Sequence, residues 1–347
     1  MLSKGQYRRS IYAIHSLGLQ LVARLGRSLV LKPVFILIGI VMLICAPLSA
    51  QTLYWDTGSG GNWTNNPSNG QRAWNTDSGG SGSGKSSWIN GSTAVFSAGT
   101  GGTGTYTVNI TSPGDGYTAI SAAGITVQEG TATISGASLT LTGGAAIDVA
   151  SGRTLTISSA LAGSAGLTKT GNGTLILSGA NTYTGTTVVN GGTLQAGTSL
   201  DFSSGLELGA GATLALNGNS VSVGTLTISG NSTIDFTNAT ASSLSVGTLT
   251  FTGSGILTII GWNDMVDFFL ASNFTGATLY TGTAPNNVRG TGTAGQIEFN
   301  GYSGSDTIWQ SYNNHITPVP EPATYGALLM ASTLGGFLWI RRRRSSV

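Results

Sequence analysis

The stretch GLTKTGNGTLILSGANTYTGTTVVNGGTLQAG, residues 166–197, decides the fold. Inside it the pair Thr174-Leu175 returns as Thr193-Leu194, each followed by alternating residues and bounded by glycine, asparagine or serine. The pair recurs in step on both sides. Thr133-Ile134 and Thr154-Leu155 precede it, and Thr213-Leu214 and Thr233-Ile234 follow, with spacings of 21, 20, 19, 20 and 20 residues. A second series, Leu206 to Leu226, also steps by 20. Short alternating runs between turn residues read as strands. A fixed period of this size reads as stacked repeats.

The period has a physical meaning. One coil of a parallel β-helix uses about this many residues for its short strands and turns. Stacked coils then place Leu155, Leu175, Leu194, Leu214 and Ile234 above one another inside. The threonine before each points outward, because side chains alternate across a strand. Gly173, Gly192 and Gly224 fit corners that need backbone freedom. Each coil buries its apolar face only against its neighbours, so stability is cooperative along the axis. The reading is therefore all-β: a right-handed parallel β-helix over 125–260, with irregular caps at 51–124 and 261–317. The competing arrangement is an antiparallel sandwich with coincidental spacing.

Residues 166–197 also carry a resemblance. The patterns GxGTLxLxG and NxYTGxTxVxxGTLxxG, both present here, are similar to the autotransporter-associated β-strand repeat. That resemblance implies a passenger-type β-helix segment. The C-terminal stretch does not read as the outer-membrane barrel of an autotransporter, so self-translocation through a barrel is not expected.

Composition agrees with the strand reading. Of 347 residues, 40% are hydrophobic and only 8% charged, against about 25% in ordinary domains. Disordered chains show the reverse, high charge with few β-branched residues. The net charge of +2 sums three unlike pieces. Lys4, Arg8, Arg9, Arg24, Arg27 and Lys32 give the first 50 residues +6, and Arg341, Arg342, Arg343 and Arg344 give the end +4. Between them, Arg72, Lys85, Arg153, Lys169 and Arg289 face thirteen acids, leaving that body at −8. A nucleic-acid-binding face is not expected from an acidic body. The single cysteine, Cys45, lies outside the body, so disulfides and thiolate metal sites are not expected there.

Both ends read as addresses. Residues 1–50 have a basic region, an apolar run of 13 residues at Val34–Ala46, the breaker Pro47, and Leu48-Ser49-Ala50 before Gln51. That is the layout of a signal peptide with cleavage between Ala50 and Gln51. The basic part is long for a signal, which fits an extended leader or a later true start. The run is short for a span, which needs about 20 residues; an uncleaved anchor is the alternative. Ile44 before Cys45 argues against a lipoprotein signal.

At 318–347, Pro320-Glu321-Pro322 is followed by the apolar segment Tyr325–Ile340 and the cluster Arg341–Arg344. The segment's 16 residues make a short transmembrane helix, about 24 Å long. Four arginines favour the cytoplasmic side, leaving the body outside. Motif, short helix and arginine cluster resemble the PEP-CTERM sorting signal. In that family an exosortase, a membrane cysteine protease or transpeptidase of Gram-negative bacteria that make exopolysaccharide, removes the tail. The resemblance implies cleavage near Pro320–Pro322 and delivery to the cell envelope, surface or extracellular matrix. It also implies exosortase, the secretion machinery, the membrane in passing and exopolysaccharide as partners. A proline-rich linker with a lasting anchor is the bland reading.

Trp55, Trp63, Trp74 and Trp88 stand among Gly, Asn and Ser in the first body segment. They read as the closing core of a solenoid cap, since an exposed end must be blocked. The functional alternative is a platform for sugar rings. Gly261–Ala271 breaks the repeat as a short helix or strand pair, and Ile297–Phe299 and Thr307–Trp309 read as final strands. Gly79–Gly84 (GGSGSG) lacks the strand, lysine and helix of a phosphate-binding loop.

Chemistry is sparse. The only histidines are His15 and His315, too few for a zinc pair and badly placed for a catalytic triad. Asp148, Asp201, Glu207 and Asp235 are the repeat's candidates for paired-carboxylate hydrolysis. A lyase of β-helix form would need a basic residue, and only Arg153 and Lys169 offer one. No catalytic, metal or cofactor residues are assigned. The expected function is a structural or adhesive envelope protein, with a carbohydrate-binding module and then a β-helix lyase or hydrolase as alternatives.

Overall fold

The computed structural model describes residues 50–318, apart from 77, 239, 264–265 and the segments 56–60, 65–73, 79–85, 97–103, 112–118, 276–286, 290–295, 301–306 and 311–314. The segment before Ala50 that reads as a signal, the GGSGSG stretch, and the segment from Val319 onward that reads as a sorting tail lie outside the described residues.

Every regular element among the described residues is a β-strand. The strands form two long sheets, one of 16 strands and one of 10. In the central coils one strand goes to each sheet, and some coils add a second short strand to the larger one, as Leu200–Phe202 and Leu206–Leu208 do. Leu167–Thr170 joins the larger sheet and Thr174–Leu177 the smaller; the next coil repeats this with Thr187–Val189 and Gly192–Ala196. Neighbouring coils pair in parallel, which is the topology of a parallel β-solenoid of the right-handed type and not of an antiparallel sandwich.

The register follows the repeat. Leu155, Leu175, Leu194, Leu214 and Ile234 occupy matching positions in the smaller sheet, and all five are fully buried. Burying each such side chain contributes roughly 1.5–3 kcal/mol, repeated at every coil. The threonines preceding them form an outward file that extends beyond the repeat read from sequence: Thr105, Thr131, Thr154, Thr174, Thr193, Thr213, Thr233 and Thr258. One member of the expected series sits elsewhere. Thr133-Ile134 matches Thr156-Ile157, one pleat further along, while Thr131-Ala132 matches Thr154-Leu155. Both alignments keep the same faces, so spacing alone could not separate them.

The corners are tight because coils touch backbone to backbone there. Gly192 has a φ of +62°, and a side chain on it would come within 2.6 Å of the Gly171 carbonyl oxygen in the coil below. A Cβ on Gly185 would collide with the backbone of Ala165 and Gly166.

Parallel stacking runs past 125–260 in both directions. Thr52–Trp55 pairs in parallel with Ser92–Phe96, and Gly61–Trp63 with Thr105–Ile110. Gly261–Ala271, read as a short helix or strand pair, contributes instead to one strand, Phe268–Thr275, parallel to Ser243–Phe251. Ile297–Phe299 and Thr307–Gln310 are strands. The larger sheet turns antiparallel at both ends. Trp74–Asn75 closes one end against Thr52–Trp55. At the other, His315–Pro318 lies antiparallel to Phe268–Thr275, followed by Thr307–Gln310 and Asn287–Arg289. Such strands stop a parallel stack from recruiting another coil.

Candidate functional site

Three places concentrate chemistry: the tryptophan cluster, the interior around Lys169, and the outward acids.

Trp55, Trp63, Trp74 and Trp88 come together, as their shared segment suggested. Trp74 is central, with ring centroids 5.1 Å from Trp55, 5.1 Å from Trp63 and 4.7 Å from Trp88. Trp63 meets Trp88 edge-on at 4.8 Å and 77°. Phe96 packs on Trp55, Trp63 and Trp74, and Tyr106 packs on Phe96. Edge-to-face pairs of this kind each add roughly 0.5–1.5 kcal/mol to the burial itself. None of the four indoles is more than 2% exposed. Their faces lie against one another, and none is open to a sugar ring. Trp88 Nε1 donates to the Ser121 carbonyl at 3.0 Å. Burial pushes the Tyr106 hydroxyl well above its ordinary range, and the Glu129 charge adds to this.

Lys169 follows from the alternation in Leu167–Thr170, which sends Leu167 and Lys169 to the same face. It stands in an inward file between Ile147 and Val189 and is fully buried. Its ammonium donates to three backbone carbonyls: Thr170 at 2.7 Å, Gly171 at 2.7 Å and Gly191 at 3.2 Å. The first two belong to its own coil and the third to the next, so the side chain ties two corners together. Desolvation lowers its pKa to about 8, against the opposing pull of the Asp148 charge. Asp148 faces outward and accepts from Thr170 Oγ1 at 2.8 Å. Lys169 is thus withdrawn from the surface where a lyase would need it, while Arg153 is exposed. The sequence reading takes Lys169 as a surface candidate; the alternation of Leu167–Thr170 could have placed it inside, but the carbonyl cage leaves no such signal.

One coil later, Thr187 occupies an inward file between Leu167 and Leu206. A hydroxyl among leucines needs a partner. Tyr183, from the preceding turn, supplies it, with 2.6 Å between Tyr183 Oη and Thr187 Oγ1. Burial pushes the Tyr183 hydroxyl up to about 12, despite the Thr187 bond, which pulls it down.

The acids stay apart. Asp148 and Glu207 lie on strands of the larger sheet separated by Leu167–Thr170 and Thr187–Val189, three strand spacings or about 14 Å. Asp201 and Glu207 face Ser222 and Thr227 of one strand, about 16 Å apart along it. Asp235 lies on the other sheet. Paired-carboxylate hydrolysis needs about 5–9.5 Å. Among the described residues, no three of His, Cys, Asp and Glu group together for a metal ion. Gln51 immediately precedes the first strand, Thr52–Trp55, and Ala50 is exposed; Pro320, Glu321, Pro322 and Arg341–Arg344 lie outside the described residues.

Comparison with known families gives one match. Residues 167–196 match the passenger-associated transport repeat. No curated protein and no solved structure matches the chain. The matched segment is two consecutive coils, from Leu167 to Ala196, and it contains Lys169, Tyr183 and Thr187. The repeat and the solenoid fit a passenger-like extracellular structural or adhesive protein.

Proposed function

We propose that this chain is an exported structural or adhesive protein of the bacterial envelope, delivered by its C-terminal sorting signal and then associated with exopolysaccharide. The observation that carries the reading is the uniform solenoid itself: threonine outside, leucine inside, and a repeat matched by a passenger-type family. In this reading the tail is handled as the PEP-CTERM resemblance implies, with an exosortase cutting near Pro320–Pro322 and Arg341–Arg344 holding the precursor in the membrane until then. The chain needs no cofactor and is not an enzyme; the wide separation of Asp148, Asp201, Glu207 and Asp235 supports this. Binding glycans through Trp55, Trp63, Trp74 and Trp88 would require the cap to open, because those rings are buried.

The test is the intact mass of the full chain expressed in a Gram-negative host with an exosortase and in the same host lacking it. The expected result is a mature form ending near Pro320–Pro322 in the first host only. It should be blocked when Pro320-Glu321-Pro322 is replaced by alanines. Retention of Tyr325–Val347 in both hosts would overturn the sorting reading and leave a membrane-tethered solenoid.

A further inference from the structure

We propose that Gln51 is a modification site: once cleavage after Ala50 makes it the N-terminal residue, it closes on itself to pyroglutamate. This rests on the signal-cleavage reading and adds a covalent step to it.

The grip of the fold starts at this residue. The Gln51 main-chain nitrogen donates to Ser92 Oγ at 3.1 Å, and the Gln51 carbonyl accepts from the Thr93 nitrogen at 3.0 Å. Ser92 is fully buried, and Leu53 and Trp55 just beyond are core residues. Ala50, on the other side of the bond, is exposed. The strand's hold on the fold therefore starts at Gln51, and the bond to be cut lies beside the exposed Ala50. Gln51 itself is half-buried, and its carboxamide has no hydrogen-bond partner among the described residues.

The step balances within the residue. The α-nitrogen attacks Cδ and forms the N–Cδ bond of a five-membered lactam. The Cδ–Nε2 bond breaks, and Nε2 leaves as ammonia with a proton from the amine. No oxidant or cofactor takes part. The product keeps one N–H, which is all that Ser92 Oγ receives from this position. A free α-amine, with an ordinary pKa of about 7.7–8.0, is mostly charged at neutral pH. Setting that charge against a buried hydroxyl costs solvation; the neutral lactam avoids this. The result is a sealed strand end with no free amine for an aminopeptidase, which suits a protein held outside the cell.

The test uses the full chain, secreted and recovered from envelope and medium, with the N-terminal peptide sequenced by mass spectrometry. The expected peptide starts at residue 51 and is lighter than the glutamine form by one ammonia. It should resist Edman degradation until treated with pyroglutamyl aminopeptidase. The variant Gln51→Glu should give an open terminus, at least tenfold more degradable, with an unchanged melting temperature. A wild-type chain starting at Gln51 with a free amine would overturn the modification and leave the cleavage reading standing. A chain starting elsewhere would overturn both.

Discussion

The N-terminal end and the middle coils solve the same problem differently. In the middle, small repeated side chains do the work. Leu155, Leu175 and Leu194 stack in register, and glycine corners let the coils touch. At the end, the described residues place no further coil below to stack upon. There, four indoles, Phe96 and Tyr106 fill the same cross-section with rings. Repetition stabilises a coil only through its neighbours, so the last coil needs a core of its own. The tryptophans supply it, and that is why they are buried rather than displayed.

The largest expected effect tests that division. Trp74→Ala removes the central ring of the cluster and should cost about 3–5 kcal/mol. Because coils couple only to neighbours, the loss should be local at first. Backbone amides of Leu53, Phe96 and Ile110 should exchange hydrogen much faster, while those of Leu194 and Leu214 keep their protection. Uniform loss of protection along the solenoid would show that the cap and the middle are one cooperative unit.

The middle breaks at its corners. Gly185→Ala puts a methyl group into the backbone of Ala165 and Gly166, and backbone has less room to yield than a side chain. The expected cost is about 3 kcal/mol. Exchange should rise on both sides of the lesion and leave the tryptophan end protected. A change of less than about 0.5 kcal/mol, the size of an ordinary surface substitution, would mean that these corners slide.

Much of this contrast was legible in the sequence. The 20-residue step gave the stacking of Leu155 through Ile234, since each residue's face follows from alternation and each coil's length from the spacing. Legibility failed where coil length changed. The step from Thr131 to Thr154 is three residues longer than the next one, to Thr174, so Thr133-Ile134 was aligned one pleat away. The strand at Phe268–Thr275 was hidden because Trp262, Phe268 and Phe269 break the threonine–leucine pattern. Trp262 instead meets Phe236 and Phe299 edge-on at 5.0 and 5.2 Å, closing the other end with aromatic rings again. Lys169 could be placed inside from alternation, but its three acceptors are backbone atoms, and no residue type encodes those.

Lys169 gives the middle a stability that rises with pH, whereas Tyr106 at the tryptophan end, its hydroxyl pushed up by burial, adds only a falling one at high pH. Its folded pKa is lowered to about 8, below its ordinary 10.5, so between these values the unfolded chain binds more protons. Stability should therefore rise with pH from about 8 toward 10. Tyr183, pushed up from 10.0 to about 12, acts in the opposite sense. Its contribution is present below pH 10 and is lost as pH climbs toward 12. Melting temperature should pass through a maximum near pH 10. In Lys169→Met the rising limb should disappear while the falling limb stays. A rising limb that survives the substitution would assign it to another group.

The smallest effect separates the two faces of one strand. Thr193 and Leu194 are adjacent, one in the outward file and one in the inward file. Leu194→Ala should cost about 2–5 kcal/mol, because its neighbours Leu175 and Leu214 cannot collapse into the void. Thr193→Val keeps the branched shape that suits a strand and loses only a half-exposed hydroxyl, so its cost should stay within about 0.5 kcal/mol. Chemical denaturation of the two variants gives the comparison directly. A loss above 1 kcal/mol for Thr193→Val would mean that the hydroxyl file on the outer face helps to hold the coils together. The stack would then be stabilised from both sides, and the outward threonines would be structural before they were anything else.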